Sequence, residues 1–570
     1  MQKIRTDQLE EGGVPQKRRL SKEKKLDKGE PSAFLTYYGT GKTPKRMSRA
    51  KFMSKAAHQA VFDLKQVGKF RRTAGGQLFY TMETPTPLIV PLIEGDIRLQ
   101  TLINDKFGVN AASANLYKHL VVAMQMEAHR HGEIIEVHQF CHANKETKTI
   151  YVSLLEGRRM IKLDGDEEFW DSLKIVANGT DGVYFLDDPS WEPWEPAIRV
   201  VVDEETGTEY LEHEEGVARR YLVDPINFIE GDRLGKEDQK WVFEMWLRCL
   251  LLDLEEKPLL FLCGPPGSGK TVAMQHVKKA LFGRSGTVDL IRKEDAFNAA
   301  VTSTPFLVLD NLDDFHAKWL IGSLATSSTG IAVQLRELYT TNDVVSVFPR
   351  AWIALTSTDS LFADNQPAIA DRMIVLNMDR LGDGFGEKGQ AEAVILKHRD
   401  EILTDLVFQL HDYVRVWRDS KENKTSMRVA AFGLAVSRYA RLNGGKENAE
   451  LVFQKLRSSQ GDLLSEHNSL FAALDEFFTR NPQAQSYIGT AGDVAETVRV
   501  LTNSNASAVG MGRKLNSLKH LFEQRYRMTH DDGKTGSTRY TFYRPAADGQ
   551  KPEDVSVATT PPEIQAVAVG

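Results

Sequence analysis

The chain contains several short, uninterrupted apolar runs that are bounded by polar residues or glycine. Three of them, residues 259–263, 306–309 and 351–355, have the length and composition of strands buried on both faces of a parallel sheet. Segments with helical periodicity, including residues 239–252 and 272–281, lie around them. This alternation of buried strands and helices predicts an α/β fold for the middle of the chain.

The segment before this core predicts a separate α+β domain at residues 55–225. Helical periodicity covers residues 96–107 and 111–129, and alternation at residues 149–155 is typical of a paired strand. Residues 1–54 are polar and basic and are predicted to form a disordered arm.

The C-terminal segment, residues 463–545, has the pattern helix, helix, helix, hairpin, which is typical of a winged helix. Such a domain binds DNA through its third helix and its wing, although some winged helices contact proteins instead. Residues 546–570 are predicted to be a disordered tail. The candidate DNA contacts are Arg513, Lys514, Lys519, Lys534 and Arg539.

Charge is unevenly distributed along a chain of otherwise ordinary composition. The formal net charge is −6, yet residues 1–55 contain 15 Lys/Arg against 6 Asp/Glu, and residues 510–544 contain 8 against 3. Such local basic regions predict contacts with nucleic acid, but each one alone fits a solvated surface equally well. No apolar run is long enough to cross a membrane, and three dispersed cysteines favour the reducing cytoplasm.

One loop between a predicted strand and a predicted helix matches the phosphate-binding pattern G-x-x-x-x-G-K-[ST]. Its glycines allow backbone N–H groups to face phosphate oxygens, beside the positive end of the helix dipole. Lys270 is predicted to reach the β- and γ-phosphates, and the Thr271 hydroxyl to hold Mg²⁺. The predicted binding residues for ATP, or another nucleoside triphosphate, are Gly264, Pro265, Pro266, Gly267, Ser268, Gly269, Lys270, Thr271 and Val272.

Polar residues also stand next to the other apolar runs. Asp310 ends one predicted strand, and we expect it to hold Mg²⁺ as a Walker B carboxylate. Thr356 and Ser357 end another strand, and Arg372 precedes a fourth apolar run. Two alternating segments flank the turn at residues 340–343 and predict a β-hairpin.

This order of motifs resembles the core of AAA+ ATPases, in particular the helicase branches with a hairpin before the sensor 1 strand. These branches include the superfamily-three helicases of viruses and the minichromosome-maintenance helicases. The chain looks like replicative ATPases of phages and integrated mobile elements over roughly residues 60–545. The resemblance implies an α/β P-loop AAA+ core at residues 226–384 and a helical lid at residues 385–462, between the α+β domain and the winged helix.

The resemblance also implies roles for individual residues. Thr356 or Ser357 becomes the sensor that orients the attacking water, and Arg372 becomes an arginine finger that acts on ATP in a neighbouring subunit. Such a finger implies a homo-oligomeric ring, with a hexamer expected; the alternative for Arg372 is an ordinary surface ion pair. The catalytic candidates are Lys270, Asp310, Asn311, Ser357 and Arg372.

Asn311 departs from the family pattern, because most active members have glutamate after the Walker B aspartate. An amide can position a water molecule but cannot accept its proton. Asp313 and Asp314 follow and are further candidates for that role. The sequence therefore predicts ATP binding more strongly than ATP hydrolysis.

Two functions are compatible with these motifs. The first is an ATP-hydrolysing, ring-forming DNA helicase or remodelling motor that replicates a phage or mobile element and binds DNA through its winged helix and basic arm. The second is a regulatory switch that binds ATP, hydrolyses it poorly and controls a partner protein in defence or element maintenance.

A group of histidines is a candidate metal site. His129, His131, His138 and His142 lie near Cys141, but their spacing matches no common zinc pattern. We therefore expect them to be ordinary core and surface histidines.

Overall fold

We describe the fold from a computed structural model of the chain. The described residues are 48–82, 87–111, 114–165, 174–202, 209–312, 318–336, 344–358, 367–382, 388–421, 424–442, 446–466, 469–502, 507–508, 511–512, 515, 519, 522, 526–532 and 538–545. The predicted tail and most of the predicted arm lie outside them.

The described residues form a mixed α/β structure. The helices are α1 (Arg49–Lys65), α2 (Ile97–Phe107), α3 (Ala114–His131), α4 (Val217–Leu222), α5 (Lys236–Cys249), α6 (Lys270–Phe282), α7 (Glu294–Ser303), α8 (Lys318–Ser328), α9 (Pro367–Ala370), α10 (Lys388–Lys397), α11 (Arg399–Asp419), α12 (Ala430–Leu442), α13 (Lys446–Glu466), α14 (Ser469–Arg480) and α15 (Ala491–Thr502). The strands are β1 (Lys69–Arg72), β2 (Leu78–Met82), β3 (Leu88–Pro91), β4 (Glu133–Ile134), β5 (Val137–His138), β6 (Cys141–Asn144), β7 (Thr149–Ser153), β8 (Arg159–Leu163), β9 (Ile175–Ala177), β10 (Tyr184–Phe185), β11 (Arg199–Val202), β12 (Glu209–Glu212), β13 (Leu259–Cys263), β14 (Phe306–Leu309), β15 (Val333–Arg336), β16 (Val344–Val347), β17 (Trp352–Ser357), β18 (Met373–Asn377), β19 (Ser486–Thr490), β20 (Thr529–Asp532) and β21 (Thr538–Tyr543).

The chain divides into two compact units, one ending at Val137 and the other beginning at His138. The predicted α+β domain at residues 55–225 spans this division. In the second unit, Val152 of β7 belongs to the same hydrophobic core as Leu260 of β13. The strands after residue 140 therefore pack with the central sheet of the chain, because their apolar face is buried in that common core.

The first unit combines a four-stranded sheet with α1, α2 and α3. The sheet order is β3-β2-β1-β4, in which only β4 runs parallel to its neighbour. Helix α1 begins inside the predicted arm, because the Ser48 side chain accepts a hydrogen bond from Lys51 N and caps it. At its other end, the buried Tyr80 hydroxyl donates to Leu64 O at 2.9 Å.

Four parallel strands form the central sheet of the second unit, in the order β14-β17-β13-β18. Every residue of β13 and β17 is buried, as expected for strands covered on both faces. Asp289 forms a parallel bridge with Leu309 and so lies beyond β14. Since β17 lies between β13 and β14, the residues that follow these two strands flank the end of β17.

The predicted hairpin before the third core strand is present, with β15 antiparallel to β16. Its tip, residues 337–343, lies outside the described residues. Farther along the chain, α14 and α15 pack beside an antiparallel sheet of order β19-β21-β20, with Phe471 and Phe522 stacked at 4.2 Å in their core. Among the described residues, no helix has the length and apolar character needed to cross a membrane.

A single buried arginine connects α6, which follows the phosphate loop, to two other parts of the second unit. Arg399 is the first residue of α11, and its guanidinium donates to Ala280 O at 3.1 Å and Leu281 O at 3.0 Å near the end of α6. It also donates to Glu192 O at 2.8 Å and Pro193 O at 2.9 Å. The planar fork of donors thus satisfies two carbonyl groups at the end of α6, which helix geometry leaves without partners, and two more in the irregular segment that contains Glu192 and Pro193.

Replacing this arginine should destabilise the second unit. We expect Arg399→Leu to lower its stability by about 3 kcal/mol or more, because each buried carbonyl left without a donor costs roughly 1–3 kcal/mol. Arg415→Leu, an exposed arginine on the same helix, is the matched control and should change little. Midpoints of thermal and urea unfolding measure the effect, and equal shifts for the two variants would contradict the assignment.

Candidate functional site

The phosphate-loop sequence connects β13 to α6 at the C-terminal edge of the central sheet. Gly269, immediately before α6, has a φ of +85°, a conformation that glycine adopts without strain. Gly264 has no space for a side chain, because a β-carbon there would overlap Met378 O. Two of the glycines are therefore required by the path of the loop itself.

Lys270 is the first residue of α6, and its side chain is folded into the loop. Its ammonium group donates to Gly264 O at 2.6 Å, to Pro265 O at 3.1 Å and to Ser268 Oγ at 3.2 Å. Lys270 is 8% exposed and Ser268 is fully buried. The loop thus surrounds a positive charge at the N-terminus of a helix, which is an arrangement suited to an anion.

The Asp310 carboxylate accepts hydrogen bonds from two hydroxyl groups. Thr271 Oγ1 lies 2.8 Å and Thr356 Oγ1 2.6 Å from Asp310 Oδ1. These residues come from the start of α6, the residue after β14 and the end of β17. A carboxylate beside a threonine hydroxyl offers the oxygen ligands that Mg²⁺ prefers, so the residues present fit this ion.

Asn311 continues from Asp310 in a left-handed conformation, with a φ of +55°. Its backbone N–H donates to Thr356 Oγ1 at 3.0 Å. The Thr356 hydroxyl therefore fixes both the carboxylate and the backbone turn that follows it. The sequence did not predict this contact, and its one local signal is a threonine at the end of a buried strand.

Thr356 and Ser357 are not equivalent in the structure. Successive side chains of a strand point to opposite faces, and it is Thr356 that contacts Asp310. Ser357 is buried opposite Cys263, at the end of β17. The sensor role of Ser357 stays a prediction, and the contacts favour Thr356 for it.

Arg372 lies at the N-terminal edge of the central sheet, opposite the edge that carries the phosphate loop. Its carbonyl accepts a hydrogen bond from Leu259 N at 2.9 Å, at the start of β13. The phosphate loop begins after Cys263, roughly 13 Å farther along a strand that rises about 3.3 Å per residue. Arg372 is therefore separated from the loop of its own chain by the length of the strand.

A segment that the sequence did not single out borders the loop. Ile229 N donates to Asn377 O and Asp379 N donates to Asn227 O, both at 2.8 Å, so residues 227–229 run antiparallel to the chain after β18. The buried Gln239 amide holds this pairing, since it accepts from Asn377 N and donates to Ile229 O. In the sequence, the one indication of this contact is that Gln239 is a polar residue on a strongly apolar helix.

Several predicted site residues lie outside the described part of the chain. They are Asp313, Asp314, Arg513, Lys514 and Lys534. Of the candidate DNA contacts, Lys519 and Arg539 are described, and Arg539 lies opposite Asp531 in the pairing of β20 with β21.

Part of the chain matches the model of a known protein family. Residues 237–458 match the family model of the replication protein of actinomycete integrative conjugative elements. This segment contains the phosphate loop, Asp310, Thr356 and Arg372. The predicted resemblance to replication proteins of mobile elements is thereby confirmed. No curated protein matches the chain.

Two solved structures resemble the chain over most of its length. The C-terminal region of NrS-1, in its A form without ligand, is 10% identical with a TM-score of 0.36 and covers 85% of this chain and 98% of its own. The Cch protein of SCCmec type IV, described as an active helicase, is 12% identical with a TM-score of 0.39 and covers 84% of this chain and 92% of its own.

The left-handed backbone of Asn311 generates a stability prediction. Asn311→Gly should leave the unfolding midpoint unchanged, because glycine adopts positive φ freely. Asn311→Ala should lower stability by about 1 kcal/mol, since a β-carbon is strained in this conformation. Thermal unfolding without nucleotide compares the two variants, and an alanine variant as stable as the glycine variant would show that no strain is present.

Proposed function

We propose that this protein binds ATP with Mg²⁺ and uses ATP hydrolysis to unwind or remodel DNA during replication of a mobile genetic element. The observation that carries the proposal is the contact of Asp310 with Thr271 and Thr356, directly beside the phosphate loop. The family match of residues 237–458 supports replication as the process.

The loop residues have distinct tasks in this proposal. Backbone N–H groups from Gly264 to Val272 bind the phosphates, and Lys270 turns from the loop carbonyls to the β- and γ-phosphate oxygens. Thr271 and Asp310 hold the magnesium ion, which neutralises charge on the transferring phosphoryl group when bound. Thr356 keeps Asp310 in place, and Asn311 positions the attacking water.

Arg372 is proposed to act on the nucleotide of a neighbouring subunit. Its position at the sheet edge opposite the phosphate loop supports action between subunits rather than within one chain. A guanidinium near the γ-phosphate stabilises the charge that develops in the transition state. An AAA+ ring, with a hexamer expected, follows from this arrangement, and α10 to α13 would form the helical lid.

The C-terminal elements are proposed to form a DNA-binding winged helix. Their order supports this: α14, β19, α15, helical residues described between 508 and 526, and then β20 and β21. Lys519 belongs to the helical segment that would enter the major groove, and Arg539 to the strand of the wing. The basic arm would add contacts to phosphates.

A second candidate function is a switch that binds ATP and hydrolyses it poorly. Asn311 favours it, because no carboxylate stands directly after Asp310 to accept a proton from water. In that case nucleotide binding itself would change the affinity for a partner protein.

ATP turnover with and without single-stranded DNA, measured beside strand displacement, tests the motor. We expect DNA to stimulate turnover and the protein to separate strands. Lys270→Ala should abolish both activities and nucleotide binding, whereas Lys397→Ala, which removes an exposed lysine, should not. Nucleotide binding without stimulation or unwinding would support the switch instead, and a Lys270→Ala variant that still binds ATP would overturn the site itself.

Mixing two inactive variants tests the role of Arg372. Arg372→Ala should retain ATP binding and lose about 1,000-fold or more in turnover, as is typical of arginine fingers. Mixed with Lys270→Ala, it should regain part of the activity, because an intact loop then meets an intact Arg372 at some subunit boundaries. A mixture that stays inactive, although mixed oligomers form, would contradict action between subunits.

A further inference from the structure

Two histidines and an aspartate converge at the N-terminal edge of the central sheet, away from the phosphate loop. One ligand atom from each of His138, His142 and Asp253 lies within 4.8 Å of the other two. His138 and Asp253 line a cavity with Lys257, which precedes β13, and Trp352, the first residue of β17. No part of the proposed ATP chemistry uses these side chains.

Two buried polar atoms of this region lack a hydrogen-bond partner. Among the described residues, these are His142 Nδ1 and the Oε1 atom of Gln139, a residue that lines the cavity. Buried polar atoms normally have partners, and a nitrogen or oxygen left without one beside a carboxylate is suited to a bound cation.

We propose that His138, His142 and Asp253 form a zinc-binding site. Two imidazoles and a carboxylate are a ligand set that zinc accepts, with water in the fourth position. His142 Nδ1 and Asp253 Oδ2 are 3.6 Å apart. Ligand atoms 2.0–2.2 Å from a tetrahedral zinc ion are separated by roughly 3.3–3.6 Å, so this pair already has the required spacing.

The other two ligand distances must shorten when the ion binds. The rings of His138 and His142 are stacked, with centroids 3.7 Å apart and planes at 26°. Because a metal lies in the plane of each imidazole that binds it, these rings must rotate away from each other. The His142 side chain is 16% exposed, and its contact at Nδ1 is with the proposed co-ligand Asp253.

Two basic side chains near the proposed ligands oppose the binding of a cation. Lys257 Nζ lies 4.0 Å from Asp253 Oδ1 and donates to Leu254 O, and Arg350 lines the same cavity. Asp253 Oδ1 thus faces Lys257, while Asp253 Oδ2 faces His142. The lysine orients the proposed ligand, as outer-shell partners do.

Zinc at this position would connect parts of the chain that are distant in sequence. The histidines belong to β5 and β6, and Asp253 follows α5 just before the strand that carries the phosphate loop. The ion would therefore fix the β6–β9 sheet to the N-terminal edge of the central sheet and stabilise the second unit by mass action. This role is structural and independent of ATP binding.

Zinc titration of untagged, EDTA-treated full-length protein against a chromophoric chelator tests the proposal. We expect one zinc ion per chain and a higher unfolding midpoint with zinc present. His142→Ala and Asp253→Asn should each weaken binding at least tenfold and remove the zinc-dependent rise of the midpoint. His129→Ala, which removes an exposed histidine in the first unit, is the matched control and should bind as wild type does.

Melting curves in EDTA show whether each variant is folded before zinc is added. If His142→Ala does not fold, Asp253→Asn still tests the site, because asparagine has nearly the shape of aspartate. The proposal is overturned if wild-type protein takes up no zinc, or if His142→Ala and Asp253→Asn bind zinc as tightly as His129→Ala. Binding of ATP is measured in parallel and should be unchanged, which separates failure of this site from failure of the nucleotide site.

Discussion

The contact of one carboxylate oxygen with two hydroxyl groups holds the candidate site together. Asp310 Oδ1 accepts from Thr271 on α6 and from Thr356 on β17, so the loop, the helix after it and two strands are fixed to one atom. This is possible because β17 lies between β13 and β14, with Leu262 opposite Thr356. The strand order therefore determines which residues can cooperate in chemistry, and a different order would separate the same motifs.

Parallel strands also give the sheet two unlike edges. The C-terminal edge presents the glycine loop, Lys270 and Asp310, the residues that we propose bind phosphate and magnesium at the strand ends and a helix N-terminus. The N-terminal edge carries Arg372 and, nearby, the cluster of His138, His142 and Asp253. Because one chain holds these groups on opposite edges, the proposed joint action of the loop and Arg372 would draw them from two chains.

The sequence predicted what depends on neighbouring residues. The core strands, the helix after the loop, the hairpin and the position of Asp310 after its strand are local patterns, and the structure contains each of them. Contacts between distant residues could not be predicted, since they depend on register and packing. The hydrogen bond from Asn311 N to Thr356 joins residues 45 positions apart in sequence, and the bond from Asp379 N to Asn227 O joins residues that are farther apart. Asp253 is likewise distant in sequence from the histidines that it approaches.

Asn311 shows how such a distant contact changes the meaning of a motif. From sequence alone, its amide differs from glutamate in that it cannot accept a proton from the attacking water. In the structure its φ is +55°, and its N–H is held by Thr356. Asparagine tolerates this conformation far better than most residues with a β-carbon, whereas glutamate is strained there. The residue therefore has a conformational reason for being asparagine, and this reason is independent of its proposed role in positioning the attacking water.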